Sequence, residues 1–224
     1  MNIIEVVSLS KTFRTGTEEV EVLQGLNLTL EEGESTVITG ESGSGKTTLL
    51  NLIGGLDMAT SGNIIFAGSD IVGKSEAELT RYRSSSLGFI FQFHYLLKDF
   101  TALENVMLPA LIEGLSLKEA GNKAEGLLDR VGLLKRKTHY PVELSGGERQ
   151  RIAVARSLMN DPGLILADEP TGNLDEKNSD QVKKILFDLV CEYKKTMLLV
   201  THDKTLAARG DYHFCLEHGR LKRK

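Results

Sequence analysis

Residues Gly40-Glu41-Ser42-Gly43-Ser44-Gly45-Lys46-Thr47 decide how the rest of the chain is read. They fit the spacing G-x-x-x-x-G-K-[ST]. Ser35 to Thr39, just before, is rich in Thr, Val and Ile and reads as a buried strand; Thr47 to Ile53 reads as a helix. A strand, a glycine loop and a helix start in that order aim backbone N–H groups and the positive end of a helix at one spot, where an anion fits. Lys46 is expected to reach β- and γ-phosphate oxygens, and the Thr47 hydroxyl to ligate Mg²⁺. The plain alternative is a glycine-rich turn with an incidental lysine. Average composition puts such a chance match at about one per cent for a chain of this length. Alone, the loop says only that a nucleoside triphosphate is bound.

Around the loop the chain alternates strands and helices. Ile3 to Leu9, Leu26 to Leu30, Asn63 to Ala67, Leu87 to Phe91, Leu164 to Ala167 and Met197 to Val200 read as strands, with a turn at Glu31-Glu32-Gly33. Ser75 to Ser85 reads as a helix capped by Ser75 with Glu78. Thr101 to about Leu134 is helix-rich with breaks expected at Pro109 and Gly114, and Ser145 to Met159 is a further helix. Lys177 to Tyr193 carries an apolar stripe at Val182, Ile185, Leu186, Leu189 and Val190. Strands alternating with helices argue for an α/β protein with a mainly parallel sheet, and the middle third for a helical sub-lobe inserted in it. No internal repeat, low-complexity run or linker interrupts the pattern.

The bulk numbers narrow the function classes. The chain has 224 residues, 41% hydrophobic and 26% charged, as a folded globular protein of one domain should have. Lys and Arg number 27 against 31 Asp and Glu, a net charge of −4, and Trp is absent. No nucleic-acid partner is expected from that balance. Cys191 and Cys215 lack ligand spacing and read as small apolar fillers. No run approaches the roughly 18 apolar residues of a membrane span. Met1 to Glu5 has no basic n-region, so a cytoplasmic protein is expected.

Two more stretches carry chemistry. Leu164 to Ala167 is an apolar strand that runs into Asp168 and Glu169. At a sheet's C-terminal edge Asp168 can hold Mg²⁺ and Glu169 can act as general base toward water. Leu144-Ser145-Gly146-Gly147-Glu148 begins another helix with a hydroxyl and two glycines, a second anion-binding helix start. One nucleotide rarely needs two such starts from one chain, so the second is expected to serve the nucleotide of another copy.

With these residues in view, the whole chain resembles an ATP-binding cassette (ABC) ATPase. Residues 40–47 match Walker A, 144–148 the signature, 164–169 Walker B, Phe91-Gln92 the Q-loop, Thr171 to Asp175 the D-loop region, and Val200 to Asp203 the switch histidine. The resemblance implies a P-loop NTPase core over residues 1–224, with an antiparallel β subdomain at the N-terminus and a helical sub-lobe near 92–160. It implies a head-to-tail homodimer with two ATP molecules between the copies. By matching positions, Gly40, Glu41, Ser42, Gly43, Ser44, Gly45, Lys46, Thr47 and Thr48 would hold ATP. Ser145, Gly146, Gly147 and Glu148 would cover it from the other copy. Thr47, Gln92 and Asp168 would handle Mg²⁺, Glu169 would be the base, His202 would touch the γ-phosphate and Asp175 would couple the two sites. Phe13 stands where the family places an aromatic that stacks on adenine.

Phe91-Gln92-Phe93-His94-Tyr95-Leu96-Leu97 has no Asp, Glu, Lys or Arg and reads as an apolar groove for a partner's short helix. With Asp99 to Val106 it closely resembles the ATPase subunits of lipoprotein-releasing transporters. The wider branch of macrolide and peptide exporters and cell-division ATPases shares Gly54 to Asp57 and Ala167 to Asp175. That resemblance implies integral membrane subunits docking near Phe93 to Phe100, and a peripheral place on the cytoplasmic face of the inner membrane. Soluble ABC ATPases of DNA maintenance carry a coiled-coil insertion, and the interval from Lys46 to Ser145 has no heptad array. A P-loop kinase would leave residues 144–148 without a role. The basic end, Arg220 to Lys224, is expected to be a solvated tail.

Overall fold

A computed structural model describes residues 1–16 and 18–224. The first half runs β1 (Asn2–Thr15), β2 (Glu18–Glu31), β3 (Ser35–Thr39), α1 (Lys46–Ile53), β4 (Ser61–Phe66), β5 (Ser69–Asp70), α2 (Glu76–Ser86) and β6 (Leu87–Phe91). The second half runs α3 (Ala102–Ile112), α4 (Leu117–Arg130), α5 (Gly146–Ser157), β7 (Leu164–Asp168), α6 (Glu176–Glu192), β8 (Thr196–Thr201), α7 (Lys204–Ala207), β9 (Tyr212–Glu217) and β10 (Arg220–Arg223).

The strands form two sheets. An antiparallel sheet has the order β2-β1-β4-β5. The other has the order β10-β9-β3-β8-β7-β6 and is parallel except for β10. Burial explains the split. Leu26, Leu28 and Leu30 alternate with exposed Asn27 and Thr29, so β2 buries one face. In β3 and β8 every residue is buried, as parallel strands covered on both sides must be. One core joins the antiparallel sheet and α1 to one face of the parallel sheet through Ile38, Leu166 and Leu198. The other core joins α3, α4, α5 and α6 to the opposite face through Val37, Ile165 and Leu199.

Helix starts follow local chemistry. Ser75 with Glu78, Thr101 with Glu104, Ser116 with Glu119 and Ser145 with Glu148 each form a reciprocal capping box. Each such cap stabilises its helix by about 1 kcal/mol.

Three expectations need correction. Pro109 does not break the helix; it lies inside α3, which continues to Ile112 and stops before Gly114 at φ 90°. Pro109 forfeits one ladder bond, and burial of Val106, Met107 and Ala110 outweighs that loss. The basic end is no free tail. Arg220 to Arg223 pair with Phe214 to Glu217, so the backbone is held in a strand while Arg220, Lys222 and Arg223 face water and Leu221 packs on the core. Cys191 is exposed and Cys215 half-buried, so neither fills a core.

Candidate active site

The buried strand β3 delivers the chain into the loop at Gly40. Gly43 has φ 79° and Gly45 φ 100°, a region open to glycine at no steric cost. A Cβ on Gly45 would stand 2.8 Å from Val22 Cγ1, and one on Gly40 2.6 Å from the Leu216 carbonyl oxygen. No side chain caps α1, so its first N–H groups are left for another acceptor. The buried Lys46 ammonium donates to the carbonyls of Gly40 at 2.9 Å and Glu41 at 2.8 Å. The Ser44 hydroxyl is buried without a partner. Uncapped amides, an ammonium and an orphaned hydroxyl fit a polyphosphate.

A cleft of ≈ 600 Å³ opens beside the loop, lined by Ser42, Lys46, Thr47, Gln92, Glu169 and His202 among others. A second, of ≈ 830 Å³, adjoins it between the loop, β2 and the β9–β10 hairpin. Glu41 and Ser44 line the second and Thr48 the first.

The carboxylates come from neighbouring strand ends. Phe91 pairs with Asp168 and Asp168 with Val200, so Gln92, Glu169 and Thr201 follow one another across the C-terminal edge of the sheet. Glu169 turns away from β7 at φ 44°, and its N–H donates to the Val200 carbonyl at 2.9 Å. Its carboxylate then meets two groups from the end of β8. The Thr201 hydroxyl donates to Oε2 at 2.8 Å, and His202 Nδ1 lies 2.9 Å from Oε1. Burial pushes the Asp168 carboxyl up; the Thr47 hydroxyl and Lys46 pull it down, and Glu169 pushes it further up. Among the described residues no three His, Cys, Asp or Glu side chains cluster to hold a metal. The Thr47 hydroxyl beside the Asp168 carboxylate suits Mg²⁺, which takes one or two protein oxygens and completes its shell with phosphate and water. Gln92 Nε2 donates to Asn173 Oδ1 at 3.1 Å, and Asn173 Nδ2 donates to the Gln92 carbonyl at 3.3 Å.

Ser145 caps α5, and its hydroxyl donates to Glu148 Oε2 at 2.8 Å. Asp175 caps α6 through the Asn178 N–H at 3.0 Å. Asn178 packs against Gly147 so closely that a Cβ there would meet its Oδ1 at 2.5 Å. The two helix starts are thus set side by side. Ser145, Gly146, Gly147, Glu148 and Asp175 line neither cleft at the loop. Phe13 also lines neither; it is half exposed, and its register partner Val20 lines the larger cleft.

The run after β6 is held from behind. Arg156 donates to the carbonyls of His94 at 2.6 Å and Tyr95 at 2.8 Å, two residues at φ 56° and 47°. Phe93 is 66% exposed and Tyr95 61%, whereas Leu96 packs on the core. An apolar cleft of ≈ 370 Å³ includes Phe89, Leu108, Pro109 and Ile112 in its lining.

Sequence reasoning gave no role to Thr201, Asn173 or Asn178, which orient Glu169, Gln92 and Asp175. It also missed Cys215 to Gly219 as a wall of the larger cleft. The turn at His218-Gly219 was the available signal for that hairpin.

Residues 23–172 match the family described as ABC transporter. The lipoprotein-releasing system ATP-binding protein LolD of Treponema denticola is 55% identical over 99% of this chain and 98% of its own. That of Treponema pallidum is 51% identical over the same shares. Among solved structures, the dimeric post-hydrolysis state of the ATP-binding cassette MJ0796 bound to ADP and Pi superposes with TM-score 0.91. It is 37% identical and covers 99% of this chain and 97% of that one. A match to the family model over most of the chain, relatives at about half identity along nearly their full length and a cassette fold with the same architecture agree: this chain belongs to the ABC transporter family as an ATPase subunit.

Proposed function

We propose that this chain drives release of lipoproteins from the inner membrane, as the ATP-hydrolysing subunit of a transporter whose integral subunits it meets on the cytoplasmic face. The reading rests on relatives that are lipoprotein-releasing ATP-binding proteins along almost their full length. They favour it over macrolide or peptide export and over cell-division signalling. No helix among the described residues is long and apolar enough to cross a membrane, which suits a peripheral partner.

The observation that carries the chemistry is the Glu169 carboxylate, held between Thr201 and His202 beside the phosphate loop. Lys46 and the loop amides bind the triphosphate. Mg²⁺, held by Thr47 and Asp168 with Gln92, supplies positive charge to the phosphate oxygens when bound. Glu169 takes the proton from the attacking water. His202, 68% exposed in its side chain, is free to turn to the γ-phosphate. Ser145 and Gly147, which line neither of this chain's own clefts, close the site of a second copy, and Asp175 links the two sites through Asn178. Phe13 stacks on the base.

Purification of the chain with its membrane subunits tests the cargo. Partners with a large lipoprotein-binding periplasmic domain, and ATP-dependent lipoprotein release from proteoliposomes, are expected. Partners that release no lipoprotein overturn the reading.

A further inference from the structure

Lys11 is almost fully buried, an unusual place for an ammonium. It donates to Asp57 Oδ1 at 2.7 Å and to the Met58 carbonyl at 2.8 Å. The same nitrogen lies 4.6 Å from the centroid of the Phe13 ring. Asp57 follows α1, the helix whose first turn anchors the phosphate loop. Eight residues of α1 span about 12 Å. One ion pair therefore ties the segment that follows that helix to β1 beside the Phe13 ring, next to the larger cleft.

Neither partner is explained by core packing. Phe13 is 41% exposed, so the ring is not buried, and the Lys11 charge is neutralised by Asp57 without it. What the ammonium adds is a fixed cation against the ring, attracted to the negative face of its quadrupole. A ring braced in this way keeps its orientation while the rest of its surface stays open to solvent.

We propose that Lys11, fixed by Asp57, is a positioning residue for the nucleobase: it braces the Phe13 ring at the rim of the cleft so that a purine can stack on it. This rests on Phe13 as the base-stacking residue. The ion pair supports the ring alone; the phosphate loop is held by its own contacts, such as those of Lys46 to Gly40 and Glu41.

The test uses the full chain, titrated calorimetrically with ADP and with inorganic pyrophosphate, which lacks a base. Lys11→Met is expected to weaken ADP binding about threefold to tenfold, the span of a cation–π contact, and to leave pyrophosphate binding unchanged. Lys11→Arg restores ADP binding. In a Phe13→Ala background, Lys11→Met adds no further loss. Equal weakening of both ligands, no weakening, or the same loss with and without the Phe13 ring overturns the inference. Phe13→Ala alone separates the two readings. If it leaves the ratio of ADP to pyrophosphate affinity unchanged, base stacking and the inference both fall. If it lowers the ratio while Lys11→Met does not, only the inference falls. Should thermal melting show Lys11→Met unfolded, Asp57→Asn carries the same comparison.

Discussion

His202 Nδ1 lies 2.9 Å from the Oε1 atom of Glu169, although the two residues follow the ends of different strands, β8 and β7, and are 33 positions apart. The second oxygen of the same carboxylate is occupied by Thr201. A carboxylate held on both oxygens is oriented in advance, as the proposed role of general base requires.

Replacing that carboxylate by an amide keeps its shape and one acceptor oxygen but removes the charge and the proton acceptor. Glu169→Gln should bind ATP as the parent does and lose about 10²–10⁴-fold in turnover. The dimer should then persist with ATP bound. Steady-state phosphate release and size-exclusion chromatography check both parts, and normal turnover refutes the base assignment.

Gly147 has room for no side chain against Asn178. Gly147→Ala should force Asn178 away from Asp175 and disturb the adjoining helix starts. Nucleotide binding by the single chain should survive, since Gly147 lines neither cleft. Hydrolysis should fall at least tenfold, about 1.4 kcal/mol in barrier. The parent's activity per molecule should also drop on dilution, because a second copy completes the site; constant activity at extreme dilution contradicts the shared site.

Phe93 and Tyr95 project into solvent and contribute little to the core. Polar replacement of either should change stability by no more than about 0.5 kcal/mol. Retention of the integral subunits during purification from membranes should fall. Unaltered retention removes this surface as the docking site. Leu96 is unsuitable for the experiment, since it packs on the core.

Asp203 offers a pH test. Burial opposes its ionisation, but Lys183 and Thr205 outweigh that and hold the carboxyl at about 2, below its ordinary 3.8. A depressed folded pKa gives stability that is present above the unfolded value and lost as pH falls through the folded one. Asp203→Asn should therefore melt earlier than the parent at pH 7, and the gap should close between about pH 4 and pH 2. A gap that stays constant over that range rules out the carboxylate's charge as the source.

Much of this was legible in one dimension because the relevant signals are local. β3 lies where its Thr, Val and Ile put it, Ser75 caps the helix that its spacing to Glu78 announces, and Ser145 the helix that its hydroxyl announces. Pro109 misled because propensity counts the lost hydrogen bond and not the packing that replaces it. The β9–β10 hairpin has a local turn signal at His218-Gly219, but its place beside the phosphate loop comes from the pairing of β9 with β3, far back in the sequence.

The amino-acid order alone settled the phosphate loop, the two strand-end carboxylates and the family, since each depends on residue types at short fixed intervals. Folding alone decided what meets Glu169, Gln92 and Phe13. Thr201 and Asn173 reach Glu169 and Gln92 only after segments remote in the chain are brought together, and Lys11, a neighbour of Phe13 on β1, is fixed only when the fold delivers Asp57 to it. Folding also set Ser145 and Gly147 apart from the loop of their own chain, because the core holds α5 on the helical side of the sheet, away from α1. No local interval encodes that separation; it follows from which face of the parallel sheet each helix buries.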